Sequence, residues 1–350
     1  MKKIVINGKV FKRKNITGLQ RYVIEILKEM DKLITDEDIE LLVPKINYNL
    51  PDFKNIKIKK TINLQEILWE QIILPIYAIS HKKIILNMAN NAPIVKPDII
   101  VIHDIAPIKQ KDNFKLLKRL YYKVLYFFNI KNAKKIITVS EFSKKEIKET
   151  YKIKDSKIDI VYNSWQHMKN IPEEKINGII EKKPYFFSIG TLAKHKNIKW
   201  VIEVAKRNPK YNFLISGLKD SKNIDKQLGI QRTSNVKYMG YLTDGQMKTI
   251  LKSAEALIFS SFYEGFGIPP LEALAVNTKV IISDIPVLKE TCENTAYYIN
   301  PYKTNIDLEE LLNKKVEKSD NILKKYSWEK SAQKLFKIMK EEKYENSNNT

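Results

Sequence analysis

The sequence predicts an α/β chain built as two doubly wound parallel-sheet domains, and three observations carry that reading. Short apolar runs that read as buried strands alternate with segments whose apolar residues recur at helical spacing. A polar, charged stretch without clear period, residues 171–183, interrupts the alternation, which then starts again. Each half opens with a strand that feeds a glycine loop and then a helix, the place where open α/β sheets hold ligands. At 350 residues and 43% hydrophobic content, the chain is long enough to bury two cores.

Residues 2–7 read as the first strand and lead through a loop containing Thr17, Gly18 and Leu19 into a helix with Tyr22, Ile26, Leu27 and Met30 on one face. The loop lacks G-x-G-x-x-G, so it is not a dinucleotide fingerprint. Strands are expected at 39–43, 56–60 and 83–88, with a helical segment at 64–78. Residues 98–104, DIIVIHD, read as a buried strand ending in His103 and Asp104, which puts both at the carboxyl edge of the sheet. Residues 114–135 are basic and aromatic. At helical spacing Leu117, Tyr121, Val124 and Phe128 are expected to face a core while Lys115, Lys118, Arg119 and Lys123 project outward. The alternative is a helix lying on an anionic membrane surface. After a strand at 135–139, the spacing of Ser143 and Glu146 is that of a capping box, so a helix is expected to start there. A strand at 158–162 closes the first half.

The second half begins with a strand at 185–189, the loop 190–197, and a helix with Ile198, Val201, Ile202 and Ala205 on its apolar face. Strands follow at 212–216, 236–241, 257–260, 279–283 and 297–300, and a helix starts near Thr243. Residues 256–277, ALIFSSFYEGFGIPPLEALAVN, hold the strongest local signal. An apolar run breaks into a turn where Gly265 and Gly267 flank Phe266. Pro269 and Pro270 then suit the first turn of a helix, where a missing N–H costs nothing. Free N–H groups and the helix dipole converge on one spot, a ready anion site, and Glu264 and Glu272 bracket it. The plainer alternative is a tight turn with two solvated acids.

Sixty-two Lys and Arg against forty Asp and Glu give a net charge of +22. That excess favours anionic partners, nucleic acid or acidic lipid, unless it reflects a lysine-rich composition alone. The basic residues are spread along the chain without a nucleic-acid recognition motif, so no nucleic-acid partner is expected. Cys292 is the single cysteine, which excludes an internal disulfide framework and fits a reducing compartment. No run is long enough to span a bilayer, and the N-terminus reads as a strand rather than a secretory signal. The expected location is cytoplasmic.

Glu264-Gly-Phe-Gly-Ile-Pro-Pro-Leu-Glu272 resembles the E-x7-E motif of retaining nucleotide-sugar glycosyltransferases of the GT-B fold, family 4, the bacterial group 1 type. Other segments match that family in order and spacing. They are residues 17–22; Trp69-Glu70-Gln71 with Pro75; Ile102-His103-Asp104; residues 139–143; Gly190-Thr191-Leu192 with Lys196-Asn197; and Ser327-Trp328-Glu329 with Ala332. The resemblance covers roughly residues 1–340 and implies two Rossmann-like domains facing across a cleft. Residues 1–170 would form the acceptor domain, 171–183 a linker and 184–325 the nucleotide-sugar domain. Residues 326–340 would be a helix packing back on the first domain, and 341–350 a fraying tail.

In that family's pattern Lys196 would hold the donor diphosphate, together with His195 and the backbone around Gly190, Thr191, Gly265, Phe266, Gly267 and Ile268. Glu272 would take the ribose hydroxyls, Glu264 the hydroxyls of the transferred sugar, and His103 would meet the sugar from the opposing domain. Gly18 would let its loop approach donor or acceptor closely. The resemblance implies transfer of a hexose (mannose, glucose, rhamnose or similar) from a GDP- or UDP-sugar, with retention and no further cofactor. The acceptor would be a growing glycan or a lipid-linked saccharide in cell-surface polysaccharide assembly, O-antigen, capsule or exopolysaccharide, at the inner face of the cytoplasmic membrane. The resemblance implies no metal. Donor identity would be read by loops 189–194 and 217–220; oligomeric state is left open. The chain departs from the pattern at His195 and Thr191, where arginine is common, and at Val276-Asn277. Those departures keep a non-catalytic scaffold as the alternative, beside a basic nucleic-acid-binding protein.

Overall fold

The computed structural model describes residues 3–12, 16–45, 50–176, 184–217, 224–231 and 233–345. Residues 177–183 of the expected linker, 218–220 of the expected donor loop and 346–350 of the tail lie outside the described residues. The chain forms two compact units. The first comprises the chain up to Lys109, Phe114–Asn163 and the segment that begins at Ser327; the second comprises Gln110–Asn113 and Ser164–Tyr326. The passage between them falls at Asn163, ahead of the stretch 171–183. The start of that stretch packs within the second unit: Lys248 Nζ donates to the carbonyl of Ile171 at 2.7 Å, and Thr249 Oγ1 to that of Glu174 at 2.9 Å.

In the first unit the strands are β1 (Lys3–Asn7), β2 (Ile39–Pro44), β3 (Lys57–Thr61), β4 (Lys83–Asn87), β5 (Ile99–Val101), β6 (Lys135–Thr138) and β7 (Ile158–Ile160). They form one parallel sheet in the order β3-β2-β1-β4-β5-β6-β7. The Ile-, Val- and Leu-rich runs of β2 and β4 are buried throughout, as parallel strands between helix layers must be. At the edge, β3 (KIKKT) is exposed, and its lysines discourage a further strand from pairing.

Helix α1 (Gly18–Leu33) buries Tyr22, Ile26, Leu27 and Met30, the expected face. Glu66–Leu68, Trp69–Ile73 and Leu74–Ser80 run on as one helix, α2, with a π-turn in its middle where the Leu74 N–H reaches the Trp69 carbonyl. Pro75 explains the wider turn, since it has no N–H for the carbonyl four residues back and its ring would crowd that group. Trp69 is fully buried and donates through Nε1 to Thr61 Oγ1 at 2.8 Å.

Helix α3 (Leu116–Asn132) turns the opposite face inward from the one expected. Leu125, Tyr126, Asn129 and Ile130 are buried, whereas Leu117, Tyr121, Val124 and Phe128 are exposed. Both faces are apolar, and Asn129 decides between them. Its amide donates to the carbonyls of Ala92 and Pro93 and its oxygen accepts from the Ala92 N–H, so it satisfies backbone groups of a buried segment. Helix α4 (Glu141–Tyr151) also starts earlier than expected. Ser140 is the N-cap, its oxygen accepting from the Ser143 N–H at 3.0 Å, and Ser143 Oγ instead donates to the His103 carbonyl at 3.0 Å.

The closing helix Trp328–Glu345 belongs to the first unit and runs past residue 340, where a fraying tail was expected. Trp328 meets Tyr22 edge-on at 6.2 Å, Ser331 Oγ donates to the Tyr162 carbonyl at 2.8 Å, and Lys340 pairs with Glu37 at 2.6 Å.

The second unit holds β8 (Tyr185–Ile189), β9 (Asn212–Ser216), β10 (Val236–Gly240), β11 (Ala256–Phe259), β12 (Lys279–Ser283) and β13 (Tyr297–Ile299). These form a six-stranded parallel sheet in the order β10-β9-β8-β11-β12-β13. Helices α5 (Ile198–Arg207), α6 (Asp244–Ser253), α7 (Ile268–Ala275) and α8 (Pro286–Cys292) connect the strands, and α9 is the closing helix Trp328–Glu345. Thr243 caps α6, accepting from the Gln246 N–H at 3.2 Å. Both units are therefore doubly wound, Rossmann-like sheets.

Candidate functional site

In the second sheet the winding reverses between β8 and β11. The chain moves outward one way through β9 and β10, and the other way through β12 and β13. Loops leaving such neighbours diverge and open a crevice beyond the carboxyl ends of the strands. Here the loop after β8 and the turn after β11 are tied together. Phe262 N–H donates to the His195 carbonyl at 2.7 Å, Asn197 Nδ2 to the Ser260 carbonyl at 3.1 Å, and Ser260 Oγ to the Asn197 carbonyl at 3.1 Å. Asn197 holds a left-handed φ of 52°, a conformation asparagine tolerates better than most residues. The joined loops set Lys196 against Glu264, with Nζ 2.7 and 2.8 Å from the two carboxylate oxygens. Both side chains are largely buried, at 23% and 12% exposure.

The glycines of this region are placed by contact. Gly217 has φ +92°, and a Cβ there would stand 2.8 Å from the Gly190 carbonyl oxygen. Gly267, at φ +94°, precedes α7, and a Cβ on it would meet Leu288 Cδ2 at 2.6 Å. Because α7 begins at Ile268, Pro269 and Pro270 take its second and third positions. Of the first three helical residues only Ile268 keeps an N–H, so donors toward an anion must come from Gly265, Phe266, Gly267 and Ile268, all buried. The Phe266 ring packs edge-on against Tyr326 at 5.2 Å.

Glu272, one turn into α7, is engaged from an unexpected quarter. Its Oε1 lies 2.8 Å from Nε2 of buried His167. Nε2 is the donor, since an ionised carboxylate only accepts. The stretch bearing His167 is pinned by Ser164 Oγ, which donates to the Tyr326 carbonyl at 3.0 Å, and by Trp165 Nε1, which donates to the Leu323 carbonyl at 2.8 Å. No motif marks His167, which stands 105 positions from its partner. Thr191 is exposed, its Oγ1 accepting from the Ala193 N–H at 3.4 Å, and His195 is half-buried.

His103 and Gly18 belong to the first unit. Gly18 opens α1 at the surface, where the Gln20 side chain accepts from the Thr17 N–H at 2.9 Å. His103 lies just beyond β5 and is buried, its ring edge-on to Tyr22 at 4.8 Å. Nε2 is 3.0 Å from the Met88 carbonyl, so the proton sits on Nε2 and Nδ1 carries the lone pair. Burial lowers the His103 pKa to about 4, against a smaller opposing effect of the Met88 hydrogen bond, so the ring is neutral. The first sheet has its own switch point between β1 and β4. There Asn7 Nδ2 donates to Glu70 Oε1 at 3.0 Å and to Asn87 Oδ1 at 3.1 Å, and Lys9 Nζ lies 2.7 Å from Glu70 Oε2. Asn7, Lys9 and Asn87 escaped the sequence reading, although an asparagine ending each of two apolar strands was a usable signal.

Among the described residues no group of three or more His, Cys, Asp or Glu is arranged to hold a metal ion, and no helix is long and apolar enough to cross a membrane.

Two doubly wound parallel sheets, of seven and six strands, define a protein of the GT-B class. The chain belongs to the glycosyl transferases group 1, whose family model matches residues 169–348, and it is therefore a glycosyltransferase. It is 30% identical over 305 residues to the O-antigen chain mannosyltransferase RfbU of Salmonella typhimurium, covering 82% of this chain and 84% of that protein. It is 26% identical over 188 residues, 49% of each chain, to O-antigen chain mannosyltransferase B of Escherichia coli. Among solved structures, sucrose-phosphate synthase from Thermosynechococcus elongatus matches with a TM-score of 0.73 at 14% identity, covering 97% of this chain and 99% of that one. WaaG, a glycosyltransferase involved in lipopolysaccharide biosynthesis, matches at 0.66 with 15% identity and 94% coverage of both chains. At those identities the likeness is one of fold.

Proposed function

We propose that the protein is a retaining, metal-independent hexosyltransferase that moves a sugar from a GDP- or UDP-sugar to a glycan or lipid-linked acceptor in O-antigen-type polysaccharide assembly. RfbU and mannosyltransferase B are both O-antigen chain mannosyltransferases, which makes a mannosyl donor the first to test. The site would serve at the cytoplasmic face of an anionic membrane.

The Lys196–Glu264 pair at the switch point carries this reading. Breaking the bond to the anomeric carbon leaves negative charge on a diphosphate, which a fixed ammonium and backbone N–H groups stabilise in the transition state. An arriving diphosphate competes with Glu264 for Lys196 and releases the carboxylate for the hydroxyls of the transferred sugar. The N–H groups from Gly265 to Ile268, together with the positive end of α7, face the phosphates. Glu272 takes the ribose hydroxyls with Oε2, because His167 already occupies Oε1. In the first unit, neutral His103 offers Nδ1 as an acceptor for a sugar hydroxyl and has no proton of its own to give there. The leaving phosphate, rather than a protein base, takes the acceptor's proton on the same face of the sugar, which retains configuration.

Donor hydrolysis and transfer by the purified chain, screened over GDP- and UDP-hexoses, tests the reading. Lys196→Ala and Glu264→Gln are expected to lower kcat/KM on the order of a hundredfold or more. Activity equal to the parent in both variants would overturn the site assignment, and an inverted product anomer would overturn retention.

A further inference from the structure

Helix α3 has two apolar faces, and the fold uses one. Opposite the buried Leu125, Tyr126 and Ile130, the side chains of Leu116, Leu117, Leu120, Val124 and Phe127 are open to solvent, Leu116 at 72% and Leu117 at 82%. Spacings of three and four residues place them in one stripe. Helix α2 repeats the arrangement: Trp69, Leu74 and Ala78 are buried, while Ile67, Ile72, Ile76 and Ile79 are exposed.

The two helices adjoin. Gln71 Nε2 of α2 and Asn129 Nδ2 of α3 donate to the same carbonyl, that of Ala92, at 3.1 and 3.2 Å. The segment they share continues to Ile94, whose N–H returns to Gln71 Oε1 at 2.9 Å and whose carbonyl accepts from Asn132 at 3.4 Å. Val95, next in line, is itself exposed. Apolar surface thus borders both sides of one short connection, which is uncommon on a protein that lives wholly in water.

Charge selects what covers it. Leu116–Asn132 contains no Asp or Glu and carries Lys118, Arg119, Lys123 and Lys131, and the whole chain has a net charge of +22. Lys118 Nζ lies 5.2 Å from the Phe114 ring centroid and Lys131 Nζ 5.9 Å from that of Phe127, ammonium groups held beside the apolar stripe. A second copy of the chain would set these cations of α3 against one another. An anionic bilayer satisfies both halves, its phosphates meeting the ammonium groups and its acyl boundary the leucines, isoleucines and phenylalanine.

We propose that the exposed apolar faces of α2 and α3 together form the surface by which this protein docks on an anionic lipid bilayer. The proposal deepens the membrane reading above and rests on it for the choice of partner. The acceptor domain would thereby work within reach of a lipid-linked saccharide.

Flotation of the full chain with phosphatidylcholine vesicles, with and without phosphatidylglycerol, tests it, beside vesicle-free donor hydrolysis on the same preparations. The parent is expected to float with the anionic vesicles and to be released by salt. L117Q/F127Q and I76Q/I79Q, both at exposed positions, should each weaken binding about tenfold or more. K118E/K123E should abolish the preference for phosphatidylglycerol, and hydrolysis and circular dichroism should not change in any of the three. Undiminished flotation of both apolar variants would overturn the proposal. So would self-association of the parent, lost in L117Q/F127Q, without vesicle binding. Flotation as expected in a chain that hydrolyses no donor would support docking and overturn the enzymatic reading alone.

Discussion

His103 is held neutral because burial opposes a charge at that position more strongly than the Met88 carbonyl favours one, and its pKa falls from 6.5 to about 4. As pH drops below 6.5, the unfolded chain takes up a proton that the folded chain refuses until about pH 4. Stability is therefore full above that window and is lost across it, by on the order of 3 kcal/mol. Glu37 does not share the window. Burial raises its carboxyl, but the Lys340 ammonium and the Thr35 N–H outweigh that and bring it to about 2, so its contribution goes only below pH 4.5. Chemical denaturation at a series of pH values should show the loss between 6.5 and 4, and His103→Gln, which keeps an amide for Met88, should flatten it. His167 is testable through the donor. Removing it in His167→Ala leaves Glu272 without its donor, so KM for the nucleotide sugar should rise about tenfold with kcat little changed, and His167→Gln should recover part of the loss. An unaltered KM would confine His167 to packing.

At the scale of elements, local chemistry told where helices lie better than where they begin or which side they bury. Ser140 and Ser143 stand three apart, each with a plausible partner three residues on, and spacing alone cannot rank them. The structure gives the cap to Ser140 because Ser143 is drawn to the His103 carbonyl across the sheet edge. Ser140→Ala should cost about 1 kcal/mol in unfolding free energy, the usual loss of an N-cap bond, which a urea titration would detect. The inward face of α3 was illegible for a related reason. A helical period locates a stripe, but α3 carries two, and the choice was made by a buried asparagine answering backbone groups thirty-odd residues upstream in sequence. The turn from Glu264 to Ile268 was legible in full because its constraints are local: two glycines, two prolines and a strand ahead of them.

At the scale of the molecule, alternation of strand and helix was sufficient to read two doubly wound sheets, since each parallel connection demands a crossover. Strand order was not readable, because neighbours in a sheet such as β8 and β11 are far apart in sequence. It is that order which makes switch points, and hence which brings Lys196 to Glu264. The pairing of His167 with Glu272 depends on tertiary placement in the same way. The motif residues were found by likeness to a family; their partners could be found only in space.

The closing helix has a consequence for how the chain is made. Trp328–Glu345 packs with α1 in the first unit, and the long segment of the second unit is thus inserted between parts of the first, its two ends, Ser164 and Tyr326, joined by a hydrogen bond of 3.0 Å. On the ribosome the second unit has all its residues before the first does. Tyr22 meets Trp328, which is made only after the second unit's last residue, so the packing of the first unit closes after the second unit is whole.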